Sequence, residues 1–193
     1  MNPLTPEDLY TLEAYAKLRD DFRARVMAHK QHRRLPLGDN VLLLFEDRLT
    51  VQYQVQEMLR VERIFETAGI AEELAAYNPL IPDGSNWKAT MMIQYPDPAE
   101  RRAALARLVG IEDRVWVRAD EHPEVTAIAD EDLERATDAK TSSVHFLRFE
   151  LTPAMSAALR QGAVLRAGIS HREYTTSVEI AGVMRESLVA DLA

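Results

Sequence analysis

Glu62 is the residue whose setting most invites chemistry. In the segment Phe45–Glu66, FEDRLTVQYQVQEMLRVERIFE, a helical period brings Val51, Val55, Met58, Glu62 and Phe65 onto one face, so the carboxylate stands where an apolar residue is expected. Burying it unpaired would cost roughly several kcal/mol, so it is expected to be paired, protonated or bound to a ligand. Glu66 shares the face, Glu57 lies about 140° around the helix, and Arg60 and Arg63 are near in sequence. An ion-pair network among these residues is the plainer account, and a ligand role for Glu62 the sharper one.

Two histidines extend the sharper account. Alternation along Ser143–Leu151 aligns His145 with Leu147, Phe149 and Leu151, and along Ala163–His171 it aligns His171 with Leu165, Ala167 and Ile169. Both rings thus fall on the apolar face of a strand, the face a helix would cover. If the Glu62 helix is that cover, Glu62, His145 and His171 form a two-nitrogen, one-carboxylate set suited to Fe(II), Mn(II) or Zn(II), with positions left open for chemistry. Arg148 would then orient an anionic substrate, although it alternates away from His145. For each histidine the commoner outcome is a core ring whose nitrogens are satisfied by hydrogen bonds.

A second set is cationic. Arg23 to Arg34 carries five Lys or Arg and no acid, whereas Asp120 to Asp138 carries eight acids and one arginine. Cations at the end of a helix complement its dipole, and charge runs are usually solvated faces. The functional alternative makes His32, Arg33 and Arg34 a patch that docks an anion or a partner. The loop Asn78-Pro79-Leu80-Ile81-Pro82-Asp83-Gly84-Ser85-Asn86-Trp87 is stiffened by its prolines and carries Trp87 as an aromatic anchor. It is expected beside a site, at an interface or as cover for a sheet edge.

The chain has no cysteine, which excludes disulfides, thiolate metal sites, a cysteine nucleophile and any iron–sulfur cluster held by its own thiolates. It also lacks a Gly-rich phosphate loop, a Gly-x-Ser-x-Gly elbow, a His-Glu-x-x-His motif and a Rossmann fingerprint. No Glu-x-x-His occurs, which argues against a ferritin-like di-iron site. The net charge of −8 speaks against non-specific binding to nucleic acid or to anionic membranes. The longest strongly apolar run, Val41–Phe45, is too short to cross a bilayer, and the acidic start has none of the regions of a signal peptide. A soluble cytoplasmic protein is expected.

The elements that must position these residues are punctuated clearly. Thr5-Pro6, Asp97-Pro98 and Thr152-Pro153 each read as a capping side chain followed by proline at the first helical position. Helices are expected near 6–33, 48–67, 98–109 and 153–161, the last three stopped by Gly69, Gly110 and Gly162, with shorter helices near 71–77, 130–139 and 181–191. Strands are expected over Val41–Glu46, Lys88–Tyr95, Arg114–Ala119, Ser143–Leu151 and Ala163–Tyr174, with Glu173–Ile180 as an extension or a further edge. The class that results is α+β in a single domain over 1–193, a mixed, mostly antiparallel sheet of five or six strands flanked by helices. In it the N-terminal helix packs on a sheet-containing body from residue 40 onward. A wound α/β sheet is the alternative, disfavoured because the first strand-to-helix turn, Glu46-Asp47-Arg48, has no glycine.

The blocks AHKQHRRLPLGDNVLLLFEDR, QVQEMLRVERIF, YNPLIPDGSNWKATMMIQYPD and KTSSVHFLRFEL resemble a bacterial family of unknown function. The likeness runs from about Asp8 to Leu151 and more loosely to the end. It implies a setting rather than a residue role, because genes of that family often neighbour those of rubrerythrin and of a cysteine-rich iron–sulfur protein of the heterodisulfide-reductase type. An iron–sulfur or rubrerythrin-type partner would then supply the thiolates this chain lacks. Three functions compete. The leading one is a non-catalytic accessory or binding protein of an oxidative-stress redox system, docking through the basic patch and the Asn78–Trp87 loop. Against it stand a metal-dependent enzyme built on Glu62, His145 and His171, and an acidic small-molecule sensor that forms a homodimer through its sheet edge.

Overall fold

Antiparallel pairing gathers the strands into two sheets that enclose one core between them. The computed structural model describes residues 2–133, 135–137 and 139–193. The first sheet runs β1 (Arg34–Leu37), β2 (Val41–Glu46), β3 (Asn86–Ile93), β7 (Val144–Glu150), β6 (Ile128–Ala129); the second runs β5 (Val125–Thr126), β4 (Val115–Ala119), β8 (Leu165–His171), β9 (Tyr174–Ile180). Strict alternation along β3 and β7 turns Trp87, Ala89, Met91, Leu147 and Phe149 inward, where they meet Val117, Leu165 and Ile169 from the second sheet. The helices α4 (Pro98–Arg107), α5 (Pro153–Arg160) and α6 (Gly182–Val189) add Ala104, Leu159 and Leu188 to the same core.

The sheets also meet at their edges. The Tyr174 hydroxyl at the start of β9 donates to Leu37 O at 2.7 Å and accepts from Asn40 N–H at 3.1 Å. A β-carbon at Gly38, whose φ is +70°, would lie 2.6 Å from that hydroxyl, so both the turn and the contact call for glycine. At the opposite edge Ala127 N–H donates to Val115 O, joining the short strands β5 and β6 to β4.

Three further helices form a layer on the outer face of the first sheet. In α2 (Arg48–Glu62) the buried face is Val51, Val55 and Leu59, packed with Leu74 of α3 (Thr67–Tyr77), Leu4 and Ile81. Helix α1 (Leu12–Gln31) buries Tyr15, Phe22 and Val26 against Leu49 and Tyr53 of α2.

The class is therefore the expected mixed α+β, but among the described residues nine strands in two sheets replace one sheet of five or six. Strands β1, β5 and β6 were not foreseen, since each has four residues or fewer and draws its order from pairing rather than from its own pattern. The caps hold at two of three sites. Asp97 accepts from Ala99 and Glu100 N–H, and Thr152 from Met155 N–H, whereas Thr5 starts only a three-residue turn and α1 begins after Thr11. Helix α2 stops at Glu62, where Arg63 takes a left-handed φ of 56°, and Gly69 lies inside α3 rather than ending its predecessor. The described residues of 130–139 form no helix; Glu134 and Asp138 lie outside the described residues. Among the described residues no helix is long and apolar enough to cross a membrane.

Candidate functional site

The outer face of the first sheet carries the side chains that alternate away from the core. In β3 and β7 these are Lys88, Thr90, Phe146 and Arg148, and the pairing sets Lys88 opposite both Glu46 and Arg148. The Glu46 carboxylate is buried but already occupied, accepting from Thr50 Oγ1 at 2.5 Å and Thr90 Oγ1 at 2.7 Å. Arg148 is occupied too. It donates twice to Glu131 at 2.8 Å and once to Glu150 at 2.5 Å, which holds its guanidinium charged and pulls the Glu131 carboxyl below its ordinary range. Lys88 is different. It is half-buried, and among the described residues its ammonium makes neither an ion pair nor a hydrogen bond. Burial first, and the nearby Arg148 charge second, lower its pKa from the usual lysine value.

These residues floor a cleft of about 630 Å³ between the sheet and the helical layer. Gln54 and Met58 of α2 and Ala76 and Tyr77 of α3 form one wall, and Pro79 and Leu80 close another. Three acids, Glu73, Glu131 and Asp132, stand around it. Burial pushes the Tyr77 phenol up, with Glu73 adding to the effect. Sequence reading passed over this site. The available signal was the outward pair Lys88 and Arg148, like charges directly opposite on neighbouring strands, which pairing alone disfavours. Seeing it requires knowing that β3 and β7 are neighbours.

The expected metal set is not brought together. His145 and His171 do lie on the apolar faces of their strands, but the cover is the other sheet, not a helix. His145 is fully buried, with Nδ1 2.6 Å from Asp130 Oδ2 and Nε2 facing Thr141 Oγ1 at 2.8 Å and Ser142 O at 3.1 Å. Thr141 in turn donates to the buried Glu112 at 2.9 Å, and Asp130 also accepts from Phe146 N–H and Arg135. This chain ties β7 to the segments before β4 and after β6. His171 is equally engaged: Nδ1 accepts from Glu173 N–H and Nε2–H donates to Val109 O, both at 3.2 Å. Glu62 is exposed in the last turn of α2, on the helical layer beyond the first sheet. Its apparent stripe fails because the packed face runs through Leu59 and the helix then ends, leaving Val61 and Phe65 59% and 72% exposed. Among the described residues no group of three or more His, Asp or Glu is arranged to hold a metal ion.

The acid on α2 that does matter to packing is Glu57. It accepts two bonds from Arg19, at 2.8 and 2.9 Å, and one from the Tyr15 hydroxyl at 2.6 Å, which together clamp α1 to α2. The Arg19 guanidinium is the main cause that draws its pKa down to about 2.

The expected docking patch divides. His32 and Arg34 are exposed, but Arg33 is 1% exposed and bonds inward. Its Nε donates to Phe45 O at 2.9 Å, and Nη2 donates to Glu46 O at 3.1 Å and Asp191 Oδ2 at 2.5 Å. A buried arginine tying β2 to the C-terminal segment is unavailable to a partner. Burial raises the Asp191 pKa even with Arg33 beside it. Trp87 is likewise internal, its indole N–H donating to Leu188 O at 2.8 Å and its ring set edge-on to Phe45. An aromatic in a proline-rich loop suggested an anchor at the surface; the first residues of β3 instead carry it into the core.

The comparison with curated proteins found no match. Among solved structures, a protein of unknown function from Burkholderia pseudomallei K96243, known from a crystal structure at 1.90 Å resolution, is 54% identical. The likeness covers 100% of both chains with a TM-score of 0.94. A family described as "Protein of unknown function (DUF3501)" matches residues 3–192, nearly the whole chain, and to that family this chain belongs.

Proposed function

We propose that this protein is a non-catalytic binding protein that holds a small molecule between its helical layer and the outer face of the first sheet. The observation that carries this reading is the cleft of about 630 Å³ with a cation on its floor, Lys88, that has no ion pair among the described residues. That volume lies within the range, roughly 300 to 1,000 Å³, of sites that take small ligands. The polar groups elsewhere that sequence reading favoured, His145, His171 and Arg33, spend their bonding capacity on the fold.

In the setting that the family resemblance implies, the protein serves an oxidative-stress redox system as an accessory to an iron–sulfur or rubrerythrin-type partner. The redox-active groups belong to the partner or the ligand, since the chain has no cysteine. His32 and Arg34 are the members of the basic patch that face solvent and can reach such a partner.

Nile red, a neutral apolar dye, tests the cleft. It is expected to bind one-to-one, and Ala76→Trp, at an exposed position on the cleft wall, should abolish the fluorescence gain without lowering the melting temperature. Equal dye binding by that variant would remove the cleft from the proposal. Co-purification with the neighbouring iron–sulfur protein tests the accessory role, with capture expected to weaken in His32→Glu combined with Arg34→Glu.

A further inference from the structure

We infer that the cleft selects an amphipathic molecule with a single negative charge, a monocarboxylate on an apolar body, whose head pairs with Lys88. The inference rests on the cleft being a ligand site and adds the chemistry of what fills it.

The charges on the floor decide the head group. Arg148 and Lys88 sit side by side in register, yet Arg148 is compensated by both Glu131 and Glu150. Glu46, directly opposite Lys88 on β2, gives its oxygens to Thr50 and Thr90 instead. One ammonium is thus left in a partly desolvated place without an ion pair or hydrogen bond among the described residues, while Glu131, Asp83 and Glu150 act on it only from a distance. A carboxylate arriving there gains a charge-assisted hydrogen bond without breaking an existing pair. An ammonium arriving there has no acceptor to offer Lys88 and would gain no hydrogen bond from it.

The rim limits the charge to one. Glu73, Glu131 and Asp132 outnumber the two floor cations among the lining residues. Glu131 and Asp132 are matched by Arg148 and Arg135, but Glu73 has no ion-pair partner among the described residues. A second negative charge on the ligand would therefore face acids and, among the described lining residues, no further free cation. The walls set the rest of the molecule, because Met58, Tyr77, Leu80 and Phe146 offer apolar surface next to that head-group position.

The test compares ligands that share one tail. Decanoate, decanol, decylammonium and decyl phosphate are titrated calorimetrically at about pH 8, where the phosphate is mostly dianionic. Decanoate is expected to bind about tenfold tighter than decanol, which corresponds to about 1.4 kcal/mol, and the other two more weakly than decanoate. Lys88→Met should bring decanoate to the level of decanol, and Lys88→Arg should keep most of the preference. Added salt should shrink it, because the cleft is open to solvent. Equal affinity for decanoate and decanol, a preference retained in Lys88→Met, or tighter binding of the dianion overturns the inference. If decanol and decanoate bind equally and Ala76→Trp blocks both, the charge selection falls and the cleft stands; if neither binds, both readings fall.

Discussion

The two faces of the first sheet differ at one residue. Both satisfy polar groups, Glu46 and Arg148 on the outer face included, but only the outer face carries a cation, Lys88, without a direct partner among the described residues. On the inner side His145 and, at the β2 end, Arg33 are almost wholly buried, and each is surrounded by partners that use its donors. On the outer side Lys88 is only half-buried and has no partner among the described residues. A buried group must be satisfied or it costs stability, so its neighbours report on folding. A group left unsatisfied beside open space has no folding role to explain it, and that makes it the better functional lead. The contrast teaches that burial and residue type, which drew attention to the histidines, select for structure here as readily as for chemistry.

The largest effect is expected at Arg33. Arg33→Met leaves Asp191 buried without its cation and should cost about 3–5 kcal/mol, read as a shift of the urea midpoint. Arg34→Met, one residue away and exposed, should stay within about 0.5 kcal/mol. Similar losses at both positions would erase the distinction between internal tie and surface patch.

Next comes the His145 chain. His145→Ala removes the group between Asp130 and Thr141 and leaves a cavity where the fully buried ring stood, for an expected loss of about 2–4 kcal/mol. Ligand affinity in the cleft should not change in the folded fraction. A selective loss of binding at unchanged stability would move the functional centre to the inner face.

Glu57 links stability to pH in a readable direction. Its folded pKa, about 2, lies below the ordinary glutamate value, so its contribution is present above that ordinary value and is lost as pH falls through about 4.5 toward 2. The side chain is 20% exposed and Arg19 31%, so screening reduces the contribution to about 1–2 kcal/mol. Glu57→Gln should flatten the acid limb of the stability curve by that amount. Asp191 works the other way: burial raises its pKa, so it favours the folded state below its ordinary value and this is lost as pH rises. An acid limb as steep in the variant as in the wild type would assign the dependence to other carboxylates.

What was legible in the sequence were features decided within a few residues. Asp97 before Pro98 and Thr152 before Pro153 cap as read, because capping needs only the next three amides. The alternation of β7 and β8 placed His145 and His171 inward correctly, since side chains on a strand alternate whatever covers it. What covers each face is decided by residues far apart in sequence, and there the reading failed. Glu62 looked interior because a periodic stripe says nothing about where the helix ends, and Arg63 ends it. Arg33 looked exterior because its partner Asp191 is 158 residues away. Lys88 went unnoticed because its meaning depends on Arg148 beside it and on Glu46 being engaged elsewhere.

The smallest expected effect on stability is the most discriminating. If Lys88 served the fold, Lys88→Met would destabilise the protein as Arg33→Met does. Its ammonium is partly desolvated and has no direct partner among the described residues, however, so the folded state tolerates the charge rather than depends on it. Methionine keeps the apolar stem and removes the charge, and the ligand-free variant should be as stable as the wild type to within about 0.5 kcal/mol, or slightly more stable. A charge that the fold does not need, at the floor of an open cleft, is placed to act on what enters the cleft. A loss of more than about 2 kcal/mol in Lys88→Met would place Lys88 with Arg33 and His145 as a structural residue, and the contrast between the two faces would then fail.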